Sequence, residues 1–291
     1  MDGLTLLIPS SVAREAEDKR EATRKLGYVA RAATVFRADR LVVFPDREGE
    51  RRWGEAFVRV VLQYAATPPH LKDEVWGRRD ELEYAGVLPP LRVSSQTTAG
   101  SSESAVHHGI VTEVGPEGRV RVTCGLQHPI SLVVPPEMAT PTEGERVTVR
   151  ISSREPVRAR LVDEPTPGFD VVVADLSAAL ADAAGRRIAT SRHGQSLSVA
   201  GLGELRPTRD GLTVAFGAPG RGLPAILGID PETISAESSA GASEPASSDA
   251  VSGDPIGGFD RWLNTIPQQG SETVRTEEAM FASLACLTLT E

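Results

Sequence analysis

The sequence predicts an α/β protein in which a small β-barrel interrupts a parallel-sheet domain, and three patterns carry that reading. Apolar runs of strand length alternate with amphipathic helical stretches before residue 65 and again after residue 168, as parallel strands joined by helices require. Between them, 107–162 switches to five short alternating runs separated by turn residues, the spacing of a small OB-like barrel. Glycine-bearing loops then follow the later strands, at the end of an open α/β sheet where ligands bind.

Leu4-Thr-Leu-Leu-Ile8 reads as a strand stopped by Pro9. Ser10 or Ser11 can cap a long helix over 12–36, with Val12, Ala16, Leu26, Val29, Ala30 and Ala33 near helical spacing. Arg40-Leu-Val-Val-Phe44 is a second strand, ended by Pro45-Asp46, and the apolar stripe from Trp53 to Tyr64 a second helix. A short helix is expected over 71–84, then a polar linker over 94–104. The barrel runs are 109–114, 119–123, 130–134, 146–151 and 157–162, with turns at Gly115-Pro-Glu-Gly118, Pro135-Pro136 and Glu143-Gly144. After Pro165-Thr-Pro-Gly168 come strands at 169–174, 187–190, 212–216 and 261–266, a helix at 176–184, and a closing helix at 275–289. The expected domains are therefore 1–93 and 165–291 as two parts of one α/β domain, with 105–164 inserted as the barrel.

No apolar run approaches the ~18 residues of a membrane span. Met1-Asp-Gly lacks the basic lead of a signal peptide, and Cys124 and Cys286 are isolated, which fits a reducing compartment. The expectation is a cytoplasmic protein with no membrane partner. The net charge is −9, and six acids with no Lys or Arg fall within 229–255. The Ser-, Ala- and Gly-rich 235–253 reads as a solvated acidic insertion, too poor in apolar residues to add core. With only three lysines among the basic residues, arginine carries the positive charge, and its planar fork suits phosphate. The acidic balance therefore leaves an RNA partner open.

Three loops gather at strand C-terminal ends: 190–194, 217–223 and 264–278. Phe216-Gly-Ala-Pro-Gly-Arg-Gly-Leu223 packs three glycines into six residues, which lets backbone approach a ligand. Tight turns with no ligand would use the same glycines; two such loops at a sheet end weigh toward a nucleotide-like cofactor held by main-chain groups. Competing motifs fail: Gly217-x-x-Gly220-x-Gly222 is not G-x-G-x-x-G, and no Gly-Lys-Ser/Thr follows it. Gly194-Gln-Ser-Leu-Ser198 is not a nucleophile elbow. H-E-x-x-H is absent, and His107-His108 has no Cys or carboxylate at ligand spacing, so no metal is expected.

Phe216–Leu223 and Asn264-Thr-Ile-Pro-Gln-Gln-Gly-Ser-Glu-Thr-Val-Arg-Thr-Glu-Glu-Ala279 together resemble the cofactor loops of the SPOUT superfamily of knotted RNA methyltransferases. Within it, the chain is similar to the archaeal and eukaryotic RNA uridine methyltransferases that carry an inserted barrel. Leu7-Ile-Pro-Ser-Ser, Pro69-His-Leu-Lys72 and Gly86-Val-Leu-Pro-Pro-Leu91 extend the resemblance to nearly the whole chain. It implies a trefoil-knotted parallel-sheet domain, a homodimer with shared sites, S-adenosyl-L-methionine as cofactor, and RNA, possibly ribosomal and modified at uridine N3, as substrate. It also implies that Gly217, Pro219, Gly220 and Gly222 shape the cofactor loop. Thr190 and Gly194 would lie on the adenosine side, and Ile266, Pro267, Gln268 and Gly270 would offer main-chain bonds to adenine.

A uridine N3 acceptor must lose a proton, so a base or charge stabiliser belongs near the loops. Arg192, Arg221, Arg275 and Glu278 are the candidates, with His193 second; Glu278 also suits the positive end of the helix that Thr276 caps. Arg221 can hold RNA phosphate. Alternation puts Arg119 with Arg121, and Arg158 with Arg160, on shared strand faces of the barrel as candidate RNA contacts, although 105–164 contains no aromatic residue for stacking. A solvated charged face explains those arginines equally well. Two other functions stay in view: a non-catalytic RNA-binding or ribosome-assembly factor on the same fold, and a nucleotide-binding enzyme acting on a small molecule.

Overall fold

The computed structural model describes residues 3–91, 105–116, 118–164, 168–183, 185–204, 211–240 and 256–289. In chain order the elements begin with β1 (Leu4–Pro9), α1 (Lys19–Val35), β2 (Arg40–Phe44), α2 (Glu55–Ala66) and α3 (Lys72–Trp76). The barrel strands follow: β3 (Ala105–Val114), β4 (Arg119–Thr123), β5 (Ile130–Val133), β6 (Arg146–Arg154) and β7 (Val157–Val162). The chain then continues through β8 (Asp170–Val173), α4 (Leu176–Ala181), β9 (Arg186–Ser196), α5 (Val199–Glu204) and β10 (Leu212–Ala215). It ends with α6 (Leu223–Leu227), α7 (Pro231–Ala240), β11 (Arg261–Asn264) and α8 (Thr276–Leu287). Two compact units result, one from 1–65, 84–91 and 171–291, the other from 66–83 and 92–170. The polar linker over 94–104 and the acidic stretch 241–253 lie outside the described residues.

The first unit is built on a six-stranded sheet in the order β11-β9-β10-β1-β2-β8. The pairs of β1 with β10 and β2, of β10 with β9, and of β9 with β11 are all parallel. Strands covered on both faces read as continuous apolar runs. Leu6, Leu7 and Ile8 of β1, Leu41, Val42 and Val43 of β2 and Val214 of β10 are each fully buried, and each such side chain contributes about 1.5–3 kcal/mol.

The long first helix starts later than the sequence suggests. Ser10 and Ser11 do not cap it, because both hydroxyls are engaged elsewhere: Ser10 Oγ donates to Glu50 and Ser11 Oγ to Asp46, each at 2.5 Å. Residues 10–15 form turns, and Asp18 caps α1 by accepting from Glu21 N at 2.7 Å. The stretch expected as one helix over 71–84 is instead α3 and two single 3-10 turns; Gly77, at φ +55°, ends α3. Acidic 235–240, expected as solvated loop, belongs to α7, whose Ile234 is 1% exposed.

The second unit holds an antiparallel sheet in the order β5-β4-β3-β6-β7, with β5 brought against β7 so that the sheet nearly closes. Val111, Val120, Val122, Leu132, Val147, Val149, Ile151 and Leu161 fill it. All five strands fall on the alternating runs of the sequence, since one face is buried and the other is not.

Candidate functional site

Strands β10, β9 and β11 lie side by side and parallel, so the segments after β10 and β11 meet the second half of β9, which runs on to Ser196 where the sequence suggests a loop at 190–194. The meeting is helped by an irregularity in β9. Its register with β11 jumps from Ala189↔Trp262 to Gln195↔Leu263, leaving 190–194 outside the ladder. Gly194 permits this, because a Cβ there would lie 2.6 Å from both Leu263 N and the Trp262 carbonyl carbon. After β10, Ala218 and Arg221 exchange both backbone hydrogen bonds at 3.0 Å, and Gly220, at φ +66°, makes the turn between them.

Side chains stitch the three segments together. Thr190 Oγ1 donates to Ala215 O at 2.8 Å, and Thr276 Oγ1 donates to Gly217 O at 2.8 Å. Asn264 Nδ2 donates to Arg192 O at 3.2 Å, while Asn264 Oδ1 accepts from Ile266 N at 3.1 Å. Gln269 Nε2 donates to Ser271 O at 2.9 Å within the last loop. Between these segments lies a cavity of about 430 Å³. Its wall mixes apolar groups (Ala218, Pro224, Ile266, Val274, Ala279) with polar ones (Thr190, Ser191, Asn264, Gln269, Glu272).

Of the residues singled out from sequence, Thr190, Arg192, His193, Gly217, Gly220, Arg221, Gly222 and Ile266 line this cavity. Gly194, Pro219, Pro267, Gln268 and Gly270 belong to the same loops, set between or beside the lining positions. Arg275 and Glu278 sit at the start of α8. Glu278 Oε2 accepts from Arg275 N at 2.9 Å, and Arg275 Nε lies 3.3 Å from Glu15 Oε1. The N-cap of α8 is thus Arg275; Thr276, expected to cap it, is the first helical residue and gives its hydroxyl to Gly217. Asn264, Gln269, Glu272 and Thr276 are wall residues that the sequence reading did not single out as ligands. They fall inside the loop it delimited, yet nothing in their spacing marks which side chains face inward.

The electrostatics of the wall are uneven. Arg192 Nε donates to His193 Nε2 at 3.2 Å, and burial together with that neighbouring guanidinium pushes the His193 ring below its ordinary range. Arg221 is held on the other side: its Nε donates to both Asp46 oxygens at 3.1 and 3.2 Å, and its Nη2 to Glu48 at 3.2 Å. Among the described residues no group of three or more His, Cys, Asp or Glu forms a metal-binding cluster. No helix among them is long and apolar enough to cross a membrane.

In the second unit, Arg119 and Arg121 on β4 and Arg158 and Arg160 on β7 are exposed. Arg121 lies 3.8 Å from Glu113. Arg146 and Arg150 are instead paired with Asp170 and Glu164.

Residues 3–287 match a protein family described as "Putative RNA methyltransferase". Uncharacterized proteins of Haloarcula marismortui and Halobacterium salinarum are 62% and 63% identical, each alignment covering 99% of both chains. The human 28S rRNA (uridine-N(3))-methyltransferase is 30% identical, covering 98% of this chain and 77% of the human protein. A match across both parts of the parallel-sheet unit and the barrel between them leaves no element of the site outside it: the chain belongs to this RNA methyltransferase family.

Proposed function

We propose that the chain is an S-adenosylmethionine-dependent methyltransferase acting on N3 of uridine in ribosomal RNA. The observation that carries this reading is the cavity of about 430 Å³ walled by the three loops, within a chain of the RNA methyltransferase family. The volume lies in the range of small-molecule sites, roughly 300–1,000 Å³, and the mixed wall suits a nucleoside with an apolar face and polar edges. When bound, the cofactor supplies an electrophilic methyl group on a sulfonium. Thr190, Gly194, Gly217, Pro219, Gly220 and Gly222 would shape the pocket around it. Ile266, Pro267, Gln268 and Gly270 would offer main-chain groups to the adenine.

The chain's remaining task is positioning and proton removal. Arg192 is a candidate that stands on the wall, while Arg275 and Glu278 would act from the start of α8. On the barrel, Arg119, Arg121, Arg158 and Arg160 would take RNA phosphates. The human relative's named activity supports uridine N3 as the acceptor. The reading includes a trefoil knot through the 217–222 and 264–270 loops, a two-fold dimer and a cytoplasmic setting.

Transfer of labelled methyl from the cofactor to total RNA, followed by nucleoside mass spectrometry, tests the activity. The expected product is 3-methyluridine in ribosomal RNA. Cofactor binding with no label in any RNA would replace this reading with the non-catalytic RNA-binding one. Sedimentation at micromolar protein tests the dimer, and an active monomer would refute shared sites.

A further inference from the structure

Pro9-Ser10-Ser11 and Pro45-Asp46 end two neighbouring parallel strands, and both are tied to the cavity wall. Asp46 is 5% exposed. Its carboxylate accepts from Ser11 Oγ at 2.5 Å and from Arg221 Nε at 3.1 and 3.2 Å, and its backbone N–H donates to Ser10 Oγ at 2.9 Å. Glu48 takes Arg221 Nη2 at 3.2 Å. Arg221 lines the cavity, and of its three nitrogens Nη1 alone has no acceptor among the described residues. Its guanidinium is therefore fixed by a buried carboxylate before any ligand arrives.

Two carboxylates on one guanidinium more than cancel its charge. A phosphate meeting Nη1 would also approach Asp46 and Glu48, and like-charge repulsion would offset the bond. A neutral carbonyl oxygen gains the hydrogen bond without that cost. Resting on the activity proposed above, we propose that Arg221 donates Nη1–H to a carbonyl oxygen of the methyl-accepting uracil, with Asp46 the positioning residue that holds it there. Uracil N3 lies between two carbonyls. As its proton leaves to water, the negative charge is shared between N3 and the two oxygens, so the bond to a prepositioned donor strengthens at a smaller like-charge cost than a phosphate's full charge would meet. N3 then forms the N–CH₃ bond with the freed electron pair, while the S–CH₃ bond breaks and its pair stays on sulfur. Of the two roles the sequence offers Arg221, charge stabiliser or RNA phosphate contact, this assignment takes the first.

The test uses the full chain and three variants: Asp46→Asn, Arg221→Lys, which keeps charge but loses the fork, and the milder Ser11→Ala. Kd for S-adenosylmethionine is measured by calorimetry, kcat and KM on uridine-containing RNA from pH 6.5 to 9.5, and folding by thermal melting. Asp46→Asn and Arg221→Lys should lower kcat about 100-fold, the usual loss for one such donor, with cofactor Kd kept within about threefold. Ser11→Ala should fall between them and wild type. The deficit should shrink as pH rises, because hydroxide then removes the N3 proton unaided.

Weakened cofactor binding with kcat unchanged at saturation would overturn the proposal and make the Asp46–Arg221 pair a brace for the glycine loop. A raised RNA KM with altered salt dependence and unchanged kcat would overturn it in favour of a phosphate contact. Wild-type protein that binds cofactor but methylates no uridine would overturn the activity itself. Methylation at an atom without flanking carbonyls would overturn only the role of Arg221.

Discussion

Replacing Gly194 with Ala tests whether the irregularity in β9 builds the cavity. A Cβ at this position would sit 2.6 Å from Leu263 N and the Trp262 carbonyl carbon and 2.7 Å from Trp262 O. All three are backbone atoms of β11, so no side-chain rotation relieves the contact, and β11 must shift away from β9. Overpacking of this kind costs about 1–3 kcal/mol. For a chain of this size each kcal/mol moves Tm by about 2–4 °C, giving an expected drop of about 2–12 °C. The shift would also drag Asn264 from Arg192 O, loosening two sides of the cavity, so cofactor affinity should fall alongside stability. Gly86 is not on the cavity wall, and a Cβ there would meet nothing within 4 Å, so Gly86→Ala is the matched control. Urea denaturation and calorimetric titration of both variants give the comparison. A Gly194→Ala protein as stable as wild type, binding cofactor as well, would refute the close approach of the two strands.

Other perturbations follow from the same geometry. Gly220→Val places a β-branched residue at φ +66°, and the reshaped turn should weaken cofactor binding at least tenfold, about 1.4 kcal/mol; unchanged affinity in a folded variant would release this loop from the site. The His193 ring should titrate below the ordinary value of about 6.5 by NMR. Arg192→Gln should raise its midpoint only in part, because burial is the larger cause. Asp260 accepts from Arg187 N at 2.7 Å and from its guanidinium at 2.5 and 3.2 Å. Burial opposes the charged carboxylate, but these bonds outweigh it and lower its pKa. Its contribution is therefore present above the ordinary Asp range and lost as pH falls through the depressed value. Asp260→Asn should cost about 1 kcal/mol near neutral pH, with the difference from wild type closing in acid. Replacing Arg119 and Arg121 with Ala should flatten the salt dependence of RNA binding by about 0.7 per lost phosphate contact; an unchanged slope would leave those residues as a solvated face.

Most strands of this protein are legible in the sequence because they obey one of two simple patterns. Central strands of the parallel sheet (β1, β2 and β10) are short apolar runs, covered on both faces, and those of the barrel alternate because one face meets water. The second half of β9, polar and only partly buried, follows neither and reads as a loop. The switch between the two patterns locates the barrel with no structural input, and three glycines in six residues mark the 217–223 loop. The start of α1 was not legible: Ser10 and Ser11 are good caps by residue type, but Asp46 and Glu50, distant in sequence, claim their hydroxyls. Short helices such as α6, five residues long, have too few turns to show a period. The six acidic and small residues ending α7 resemble linker by composition, and among the described side chains of that helix only Ile234 is buried. Within the site, the sequence delimited the loops, whereas tertiary structure alone selected the side chains on the wall. Which residue of a loop faces inward depends on strand register and on bonds such as Thr276 to Gly217 and Arg221 to Asp46. These join positions that local sequence preferences do not couple, so only the folded chain brings them together.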